Sequence, residues 1–375
     1  MSTPDIPRVV IDCRWLNSGG AGRVTELLLR GLRESELKVK WVLWGPGDAL
    51  QKVAWPGSEI AGMADDPRKR NGQRNWFHIP PAELTLFMHQ QRPLRAVPSV
   101  TLVHDTIPLR YATGPVSRGL KRTFLRRVAA ISRELLTDSD YSRDCIVRDL
   151  GVARETVTVV RWPADTEMAE RIVELRRLAE PQKNAVYLGL FLPHKNLDRL
   201  LAAFGETKFC AEGGKLTLMG GLKQETDRLI SHLDEDQKRW VSVHPFSSQQ
   251  DLEYLLATSR FLVQPSLEEG FGLPAWEALC CGLPVCASDG GSLPEVTRGQ
   301  ADIFPATSTE QMVAALDRCA SRAELVTPDA AGRASADFIS GSPSIPDLVH
   351  QVEGIVERNL GRNRGLSEPV SRSKN

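Results

Sequence analysis

The sequence has no net charge, no long apolar run and no cysteine spacing that is typical of a metal site or a disulfide framework. Its seven cysteines are odd in number and scattered without a C-x-x-C pair, which argues against a zinc site and a small disulfide-stabilised fold. No run approaches the roughly 18 apolar residues of a membrane-spanning helix, and the first residues lack the features of a secretory signal. These absences predict a cytoplasmic protein.

The length and composition favour a globular protein of two domains. A chain of 375 residues with 41% hydrophobic residues can form two packed cores. The charge is unevenly distributed, because residues 1–165 contain 25 Lys and Arg against 18 Asp and Glu. This basic part could face an anionic acceptor or membrane surface, or it could reflect ordinary surface variation, and the sequence leaves both interpretations open.

One stretch in the last third of the chain combines a strand, a glycine-containing loop and a helix. The apolar run Phe261–Pro265 predicts a buried strand of a parallel sheet. Pro274 suits the first position of the following helix, and Gly282 can end it. Gly270 and Gly272 precede the helix, where bare backbone N–H groups and the helix dipole favour an anion. The stretch therefore predicts a phosphate or diphosphate site.

Two carboxylates flank this predicted anion site. Glu269 lies in the loop and Glu277 about one turn into the helix, with seven residues between them. Each by itself could be a solvated loop charge or a residue that stabilises the helix dipole. Together they suit a ligand that carries hydroxyl groups as well as phosphate, because carboxylates accept hydrogen bonds from hydroxyls. A nucleotide sugar has both groups.

The residues of this stretch resemble the E-x7-E signature of family 4 of the retaining glycosyltransferases. The resemblance is carried by residues 269–274, Glu277, 282–285 and 292–296. It implies an α/β protein with the GT-B fold, in which two Rossmann-like doubly wound domains face a cleft, and it implies no metal or other cofactor. It also implies that Glu277 binds the ribose hydroxyls. The donor sugar would be held by Glu269 and the backbone after it, namely Gly270, Phe271, Gly272 and Leu273.

A second glycine-containing turn follows the first predicted strand, Arg8–Asp12. Residues 17–22 are predicted to form a loop before a helix, but Thr25 stands where a dinucleotide-binding G-x-G-x-x-G needs its last glycine. This departure argues against an oxidoreductase. The family resemblance implies that Gly19 and Gly20 face the donor phosphates and the acceptor, and a plain tight turn is the alternative.

A histidine stands at the end of the predicted strand Val100–Val103. Ligands of open α/β sheets lie beyond the carboxyl ends of the strands, so His104 is well placed to contact a ligand. A lone histidine is more often structural. The family resemblance, however, implies that it reaches the donor sugar. The His-Asp-x-x-Pro-Leu pattern that begins here resembles the branch that transfers mannose or rhamnose in bacterial polysaccharide synthesis.

Three other segments of the first half lie outside the motif. A basic amphipathic helix is predicted over Ser117–Glu134, and it could lie on an anionic membrane, although an ordinary solvated helix face is slightly favoured. The segment from Asp138 to Asp140 resembles a metal-binding pair of other glycosyltransferases, but a helix cap within it is the better interpretation. Residues 46–81 are predicted to be irregular.

The chain departs from the family pattern at two places. Relatives have Arg-Lys-Asn where this chain has His-Lys-Asn, so His194 replaces the arginine and Lys195 must supply more of the positive charge on the diphosphate. Lys195 is therefore a candidate catalytic residue together with Glu269 and His104. Relatives usually have Asn-Gly where this chain has Arg-Trp-Pro at 161–163.

The predicted organisation follows from these assignments. The family resemblance implies a nucleobase region after a strand of the second domain, formed by Val243, His244, Pro245 and Phe246. The expected segments are an acceptor-side Rossmann-like domain (1–165), a linker (166–182), a nucleotide-sugar-binding Rossmann-like domain (183–345), a helix that crosses back to the first domain (346–360) and a disordered tail (361–375).

The sequence thus predicts a retaining, metal-independent glycosyltransferase. It would move a hexose or deoxyhexose, with mannose or rhamnose favoured, from a nucleotide sugar to a hydroxyl of a glycan or lipid-linked acceptor in polysaccharide biosynthesis. A sugar-nucleotide epimerase or phosphorylase of the same architecture and a non-catalytic nucleotide-sugar binder are the alternatives. The expected partners are the donor, the acceptor and, if the basic helix binds it, the inner face of an anionic membrane, but no nucleic acid.

Overall fold

The computed structural model describes residues 6–16, 19–62, 79–246 and 248–364, and these residues divide into two compact units. The first unit comprises the described residues within 1–138, 143–163 and 344–375. The second unit comprises the described residues within 139–142 and 164–343. Each unit is built on one parallel β-sheet.

The sheet of the first unit has seven strands. They are β1 (Arg8–Asp12), β2 (Lys40–Gly45), β3 (Glu59–Gly62), β4 (Leu84–Phe87), β5 (Ser99–Leu102), β6 (Glu134–Thr137) and β7 (Val157–Val159). All neighbours are parallel, in the order β3-β2-β1-β4-β5-β6-β7. The inner strands are buried almost throughout because helices cover both faces of such a sheet. From β1 the chain adds β2 and β3 on one side and β4 to β7 on the other, so the switch point of the strand order lies between β1 and β4. Ligands of this fold bind at such a switch point.

The helices of the first unit surround this sheet. They are α1 (Gly19–Leu32), α2 (Gly47–Val53), α3 (Ile107–Arg110), α4 (Gly114–Ile131), α5 (Asp140–Leu150), whose first residues belong to the second unit, and the C-terminal α15 (Ile345–Arg364). A 3₁₀ turn at Arg154–Thr156 precedes β7.

The sheet of the second unit has six parallel strands. They are β8 (Asn184–Leu188), β9 (Lys215–Met219), β10 (Val241–His244), β11 (Phe261–Gln264), β12 (Val285–Ser288) and β13 (Asp302–Phe304). Their order is β10-β9-β8-β11-β12-β13, so the switch point lies between β8 and β11. Two separate apolar clusters, one on each face of the sheet, form the core of this unit. The predicted α/β fold class with two doubly wound parallel sheets is confirmed.

The helices of the second unit lie on both faces of its sheet. They are α6 (Thr166–Leu178), α7 (Leu197–Gly205), α8 (Lys208–Ala211), α9 (Lys223–His232), α10 (Gln249–Thr258), α11 (Leu273–Cys280), α12 (Leu293–Thr297), α13 (Thr309–Glu324) and α14 (Pro328–Ser340), with 3₁₀ turns at Pro193–Lys195 and Gln237–Arg239.

The structure corrects three local predictions in the first unit. The basic helix is α4, and Glu134 belongs to β6 instead, where Arg358 and Asn359 bind its carboxylate. Residues 46–81, predicted to be irregular, contain both α2 and β3, and 63–78 lie outside the described residues. The glycine loop ends earlier than predicted, since α1 already begins at Gly19, and residues 17 and 18 lie outside the described part.

The segment 166–182, predicted to be a linker, is largely helix α6 of the second unit. Met168, Ala169 and Ile172 are fully buried in the core beside α10 and α14, so this amphipathic segment is part of a domain. Asp165 caps the helix by accepting a hydrogen bond from the Met168 N–H at 3.2 Å.

The C-terminal helix belongs to the first unit. It packs on α1, where a Cβ on Gly31 would lie only 2.8 Å from Cγ2 of Val349, and Ser35 donates a hydrogen bond to Glu353. The helix continues to Arg364, so the predicted tail at 361–375 is helical over its first four residues, and the remaining residues lie outside the described part. None of the helices within the described ranges is long and apolar enough to cross a bilayer.

Candidate active site

Two of the predicted site residues meet at the switch point of the second sheet. The chain after β8 leads to Lys195, and the chain after β11 leads to Glu269. The Lys195 Nζ lies 2.7 and 2.9 Å from the two carboxylate oxygens of Glu269, although the residues are 74 positions apart. The two side chains are only 16% and 8% exposed. They form a buried ion pair at the position where ligands of this fold bind.

The carboxylate of Glu269 is held by two further donors that sequence reasoning missed. The Nε2 of Gln264 and the Oγ of Ser266 each donate a hydrogen bond to its Oε1 at 2.6 Å. Burial raises the pKa of Glu269, but the charge and hydrogen bonds of Lys195 and the hydrogen bond of Ser266 lower this pKa more, so that the group is ionised. Gln264 is the polar last residue of the otherwise apolar strand β11, and this change from apolar to polar was the signal that could have identified it.

The turn that carries Lys195 is fixed to the loop after β11. The Leu267 N–H donates a hydrogen bond to the His194 carbonyl at 2.8 Å. The side-chain amide of Asn196, which has a left-handed φ of 61°, donates to the carbonyls of Pro265 and Ala306 at 3.0 and 2.9 Å. The residues on both sides of Lys195 are therefore fixed by hydrogen bonds, and these position its ammonium group.

A glycine pair after β12 supports the other half of the ion pair. A Cβ on Gly290 would lie 2.2 Å from the Ser266 carbonyl oxygen, and one on Gly291 would lie 2.4 Å from that of Glu269. The Ser292 N–H also donates a hydrogen bond to the Glu269 carbonyl at 3.1 Å. Only glycine permits this close backbone approach, so the loop before α12 fixes the backbone of Glu269.

The remaining residues of the E-x7-E motif lie at the start of α11. Gly272 has a φ of 86° at the N-cap, and a Cβ there would lie 2.6 Å from Leu293, so packing as well as ligand access requires glycine. The side chains of Phe271 and Leu273 pack against the core. The backbone atoms of these two residues and of Gly270 are therefore the candidates for contact with a ligand. Glu277 is partly exposed on the same helix.

The environment of His194 differs from the one that a phosphate-binding cation would need. Burial and, to a smaller extent, the positive charge of Lys195 lower its pKa to about 4, although Glu269 and Glu268 oppose the shift. The imidazole is therefore neutral at physiological pH in the unliganded protein. At that pH Lys195 carries the positive charge of this turn by itself.

In the first unit, His104 lies at the carboxyl end of the sheet. It follows β5, and its Nδ1 lies 2.7 Å from a carboxylate oxygen of Asp138. The other oxygen of Asp138 accepts a hydrogen bond from the Nε1 of Trp162 at 2.8 Å. Sequence reasoning missed this arrangement. The predicted helix cap lies on the residue between the two aspartates, Ser139, whose Oγ accepts from the Ser142 N–H.

The other predicted contacts occupy exposed ends of elements. Gly19 and Gly20 form the exposed first turn of α1, which follows β1 at the switch point of the first sheet. In the nucleobase region, Val243 packs partly against the core, whereas His244, Pro245 and Phe246 are exposed after the edge strand β10. Among the residues that the structure describes, no three His, Cys, Asp or Glu side chains are grouped so that they could share a metal ion.

Comparison with known proteins supports the glycosyltransferase resemblance for the second unit. Residues 169–326 match the family described as Glycosyl transferases group 1. They contain the Lys195–Glu269 pair and the whole E-x7-E motif. Residues 169–326 are therefore similar to the group 1 glycosyltransferases. The resemblance inferred from the motif is confirmed for this part of the chain.

Curated relatives of the chain include mannosyltransferases. The chain is 32% identical over 171 residues to the O-antigen chain mannosyltransferase B of Escherichia coli. The aligned region covers 43% of this chain and 45% of that protein. It is also 32% identical over 181 residues to the MMP alpha-(1->4)-mannosyltransferase of Mycolicibacterium hassiacum, covering 46% and 40%. The chain thus spans less than half the length of these curated relatives.

A solved structure shows the likeness of fold over most of the chain. Anabaena HepE, solved in complex with UDP and glucose, superimposes with a TM-score of 0.67 at 16% identity, over 94% of this chain and 100% of that one. At this low identity the likeness concerns the fold alone. It agrees with two Rossmann-like units that each carry a parallel sheet.

Proposed function

We propose that this protein is a retaining glycosyltransferase that needs no metal ion. It moves a hexose or deoxyhexose, most closely of the mannose type, from a nucleotide-sugar donor to a hydroxyl of a glycan or lipid-linked acceptor in polysaccharide biosynthesis. The single observation that carries this proposal is the buried Lys195–Glu269 ion pair at the switch point of a domain similar to the group 1 glycosyltransferases. The mannosyltransferase relatives support the choice of sugar, and the UDP complex of HepE supports a nucleotide-sugar donor.

The chemistry of the ion pair suits a diphosphate next to a sugar. An ammonium has three N–H donors, and Lys195 directs two of them at Glu269, which leaves one for a phosphate oxygen. Glu269 can accept a hydrogen bond from a sugar hydroxyl through its second oxygen, Oε2. The backbone N–H groups at the start of α11 add positive potential for the leaving phosphate.

The family resemblance supplies the sequence of bond changes that we propose. The bond between the sugar C1 and the leaving diphosphate oxygen breaks, and the acceptor oxygen bonds to C1 on the same face. The acceptor proton passes to the leaving diphosphate. We retain His104 as a contact of the donor sugar, Gly19 and Gly20 as phosphate contacts, Glu277 as the ribose contact and residues 243–246 as the nucleobase region.

A panel of nucleotide sugars tests the function directly. Thermal stabilisation identifies the donor, because a ligand at about 100 times its dissociation constant adds roughly 2.7 kcal/mol to the stability. With that donor and a mannose-containing acceptor, we expect a glycoside with retained anomeric configuration. An epimerised donor would point to an epimerase, glycosyl phosphate formed with inorganic phosphate to a phosphorylase, and stabilisation without turnover to a binding protein. Each of these outcomes would contradict the proposal.

Metal independence gives a separate prediction. We expect transfer to continue at an undiminished rate in EDTA, since Lys195 and the N-terminus of α11 can stabilise the charge that develops on the diphosphate. The measurement is the initial rate with and without EDTA, with added Mg²⁺ or Mn²⁺ as the control. Loss of activity in EDTA that either ion restores would contradict the prediction.

The neutral state of His194 predicts how donor affinity depends on pH. If this ring faces the diphosphate, the ligand's negative charge raises its pKa above the unliganded value of about 4, so that binding takes up a proton. Affinity for the nucleoside diphosphate product should then fall as pH rises between the two pKa values, by at most about tenfold per pH unit. Calorimetric titration between pH 5 and 8.5 measures this dependence. His194→Arg should bind at least as tightly with a flat profile, whereas parallel profiles would mean that the ring does not contact the ligand.

The basic helix α4 could add a contact with an anionic membrane. Its residues include five cations and no acid. On this helix Val116 is 75% and Leu120 68% exposed, whereas Leu125 and Val128 are buried and attach the helix to the unit. Exposed apolar side chains among cations are typical of helices that bind membrane surfaces.

Vesicle binding tests this contact. We expect the protein to sediment with vesicles that contain anionic lipid and to remain free with neutral phosphatidylcholine vesicles. Replacing both Arg118 and Arg122 with alanine should weaken binding roughly tenfold or more, since each cation near the surface contributes about 1 kcal/mol. Leu120→Ser should also weaken it, whereas Leu325→Ser, at an equally exposed leucine of the second unit, should not. Equal binding of all variants would exclude α4 as the contact.

A further inference from the structure

The surroundings of His104 define its charge and orientation more closely than the proposed function requires. Its Nδ1 lies 2.7 Å from Asp138 Oδ2, and its Nε2 lies 3.3 Å from the carbonyl oxygen of Met88. Both oxygens can only accept hydrogen bonds. A neutral imidazole carries one N–H and would direct a lone pair at one of these acceptors, whereas an imidazolium donates to both.

The carboxylate of Asp138 is itself fixed. It is nearly inaccessible, with a relative exposure of 4%, and its second oxygen accepts the hydrogen bond from Trp162. The indole of Trp162 is 3% exposed, so neither group can reorient without a large rearrangement of the core. The carboxylate therefore presents one oxygen to His104 in a defined direction.

The charged and titratable groups around His104 favour its protonated form. Burial lowers the pKa of His104, but the charge and hydrogen bond of Asp138, with a further contribution from Asp105, raise it above the ordinary value. His89, from the segment after β4, has its ring centroid 5.5 Å away. Burial, His104 and Arg14 lower the pKa of His89 to about 3, so this second ring is neutral and adds no repulsion.

We propose that Asp138 is a positioning residue that holds the His104 ring as an imidazolium, with Trp162 fixing the carboxylate. The inference rests on the proposed function, in which His104 contacts the donor. The 3.3 Å contact from Nε2 to the Met88 carbonyl is long and weak, so a ligand oxygen can replace that carbonyl. A charge-assisted N–H bond from the imidazolium to a sugar or phosphate oxygen is stronger than one from a neutral ring.

Histidine titration by NMR tests the charge without any ligand or turnover. The seven histidines are labelled with ¹³C at the ring, and His104→Asn identifies the signal of His104. We expect the pKa of His104 to lie above about 6.5 in the wild type and to fall by about one unit or more in Asp138→Asn. Trp162→Phe should lower it less, and Asp144→Asn, at an exposed carboxylate of the same unit, should leave it unchanged.

Two outcomes of the titration would overturn the proposal. One is a wild-type pKa of His104 at or below about 6.5, which requires no variant to fold. The other is an unchanged pKa in a folded Asp138→Asn protein. Because this measurement does not depend on catalysis, it decides the proposal even if the protein transfers no sugar.

The activity profile tests the consequence for the reaction. With GDP-mannose as the probe, kcat/KM of Asp138→Asn should be reduced at pH 8 and should recover as the pH is lowered, because His104 regains its proton there. Asp138→Glu should partly restore the wild-type profile. A deficit of Asp138→Asn that is the same at every pH would indicate a merely structural role and would contradict the proposal. Absence of wild-type turnover with every donor of the nucleotide-sugar panel would count against the proposed function instead.

Discussion

Glu269→Ala is expected to abolish glycosyl transfer and also to destabilise the second unit. The carboxylate accepts hydrogen bonds from Lys195, Gln264 and Ser266, and each of these three hydrogen bonds is lost in the variant. Removing one member of a buried ion pair typically costs about 3–5 kcal/mol because the other charge remains buried. The loss of a preorganised group at the reacting sugar should lower the rate by at least about 10²-fold.

This expectation corrects the view from sequence alone. From the sequence alone, Glu269 is a loop carboxylate that fills no core volume, so Glu269→Ala would be expected to abolish or severely reduce turnover and to leave the fold intact. The structure shows a side chain that is 8% exposed and paired with a buried ammonium. Stability and turnover should therefore fall together in Glu269→Ala.

The experiment compares transfer rates and urea denaturation of Glu269→Ala with those of Glu253→Ala. Glu253 is an equally buried carboxylate of the same unit, paired with Arg171 on α6 and remote from the motif in sequence. We expect Glu253→Ala to lose some stability and to keep its turnover per folded molecule. Near wild-type turnover of Glu269→Ala would show that the site assignment is wrong.

Lys195→Met is expected to prevent tight donor binding at every pH. It is also expected to destabilise the protein by an amount that depends on pH. In the wild type, burial raises the pKa of Glu269, but the charge and hydrogen bonds of Lys195, together with the hydrogen bond of Ser266, keep this pKa below its ordinary value. The stabilisation from the ionised carboxylate is present above the unfolded pKa of about 4.3 and is lost as pH falls through the lower folded value. In the variant, burial dominates and raises this pKa, so an unpaired carboxylate destabilises the protein at pH 7.

The deficit should be about 3–5 kcal/mol at pH 7 and should shrink as pH falls towards 5, where the carboxyl of Glu269 takes up a proton. Urea denaturation at several pH values measures it. The control is Lys183→Met, which removes an exposed pair with Glu212 and should cost at most about 1 kcal/mol at any pH. A deficit for Lys195→Met that stays constant from pH 7 to 5 would contradict the ion-pair interpretation.

A double variant separates the two roles of the pair. Combining Lys195→Met with Glu269→Gln removes both charges, so much of the stability lost in either single variant should return. Donor binding and transfer should remain absent, because neither the cation nor the carboxylate is available. Recovery of transfer in the double variant would show that the pair is structural only.

Local patterns in the sequence were sufficient to locate several strands and the motif, but not β3, which lies in a segment predicted to be irregular. Apolar runs such as those of β1 and β11 mark buried strands, and the glycines and proline near Gly272 mark the start of α11. These features depend on neighbouring residues. Amphipathic segments were harder to place, and α6 was mistaken for a linker because charged residues on its outer face conceal a buried stripe.

By itself, the sequence predicted the α/β fold class, which the structure confirms, and located the E-x7-E motif, because both depend on short-range patterns of residues. The residues that a nucleotide sugar would contact follow from the family resemblance and stay a prediction. Only the tertiary structure paired Lys195 with Glu269 and His104 with Asp138, across 74 and 34 positions. These contacts depend on which strands are neighbours, since the order that puts β8 beside β11 is not encoded in any local pattern. The charge of each site residue follows from the same contacts, because burial and partners set its pKa.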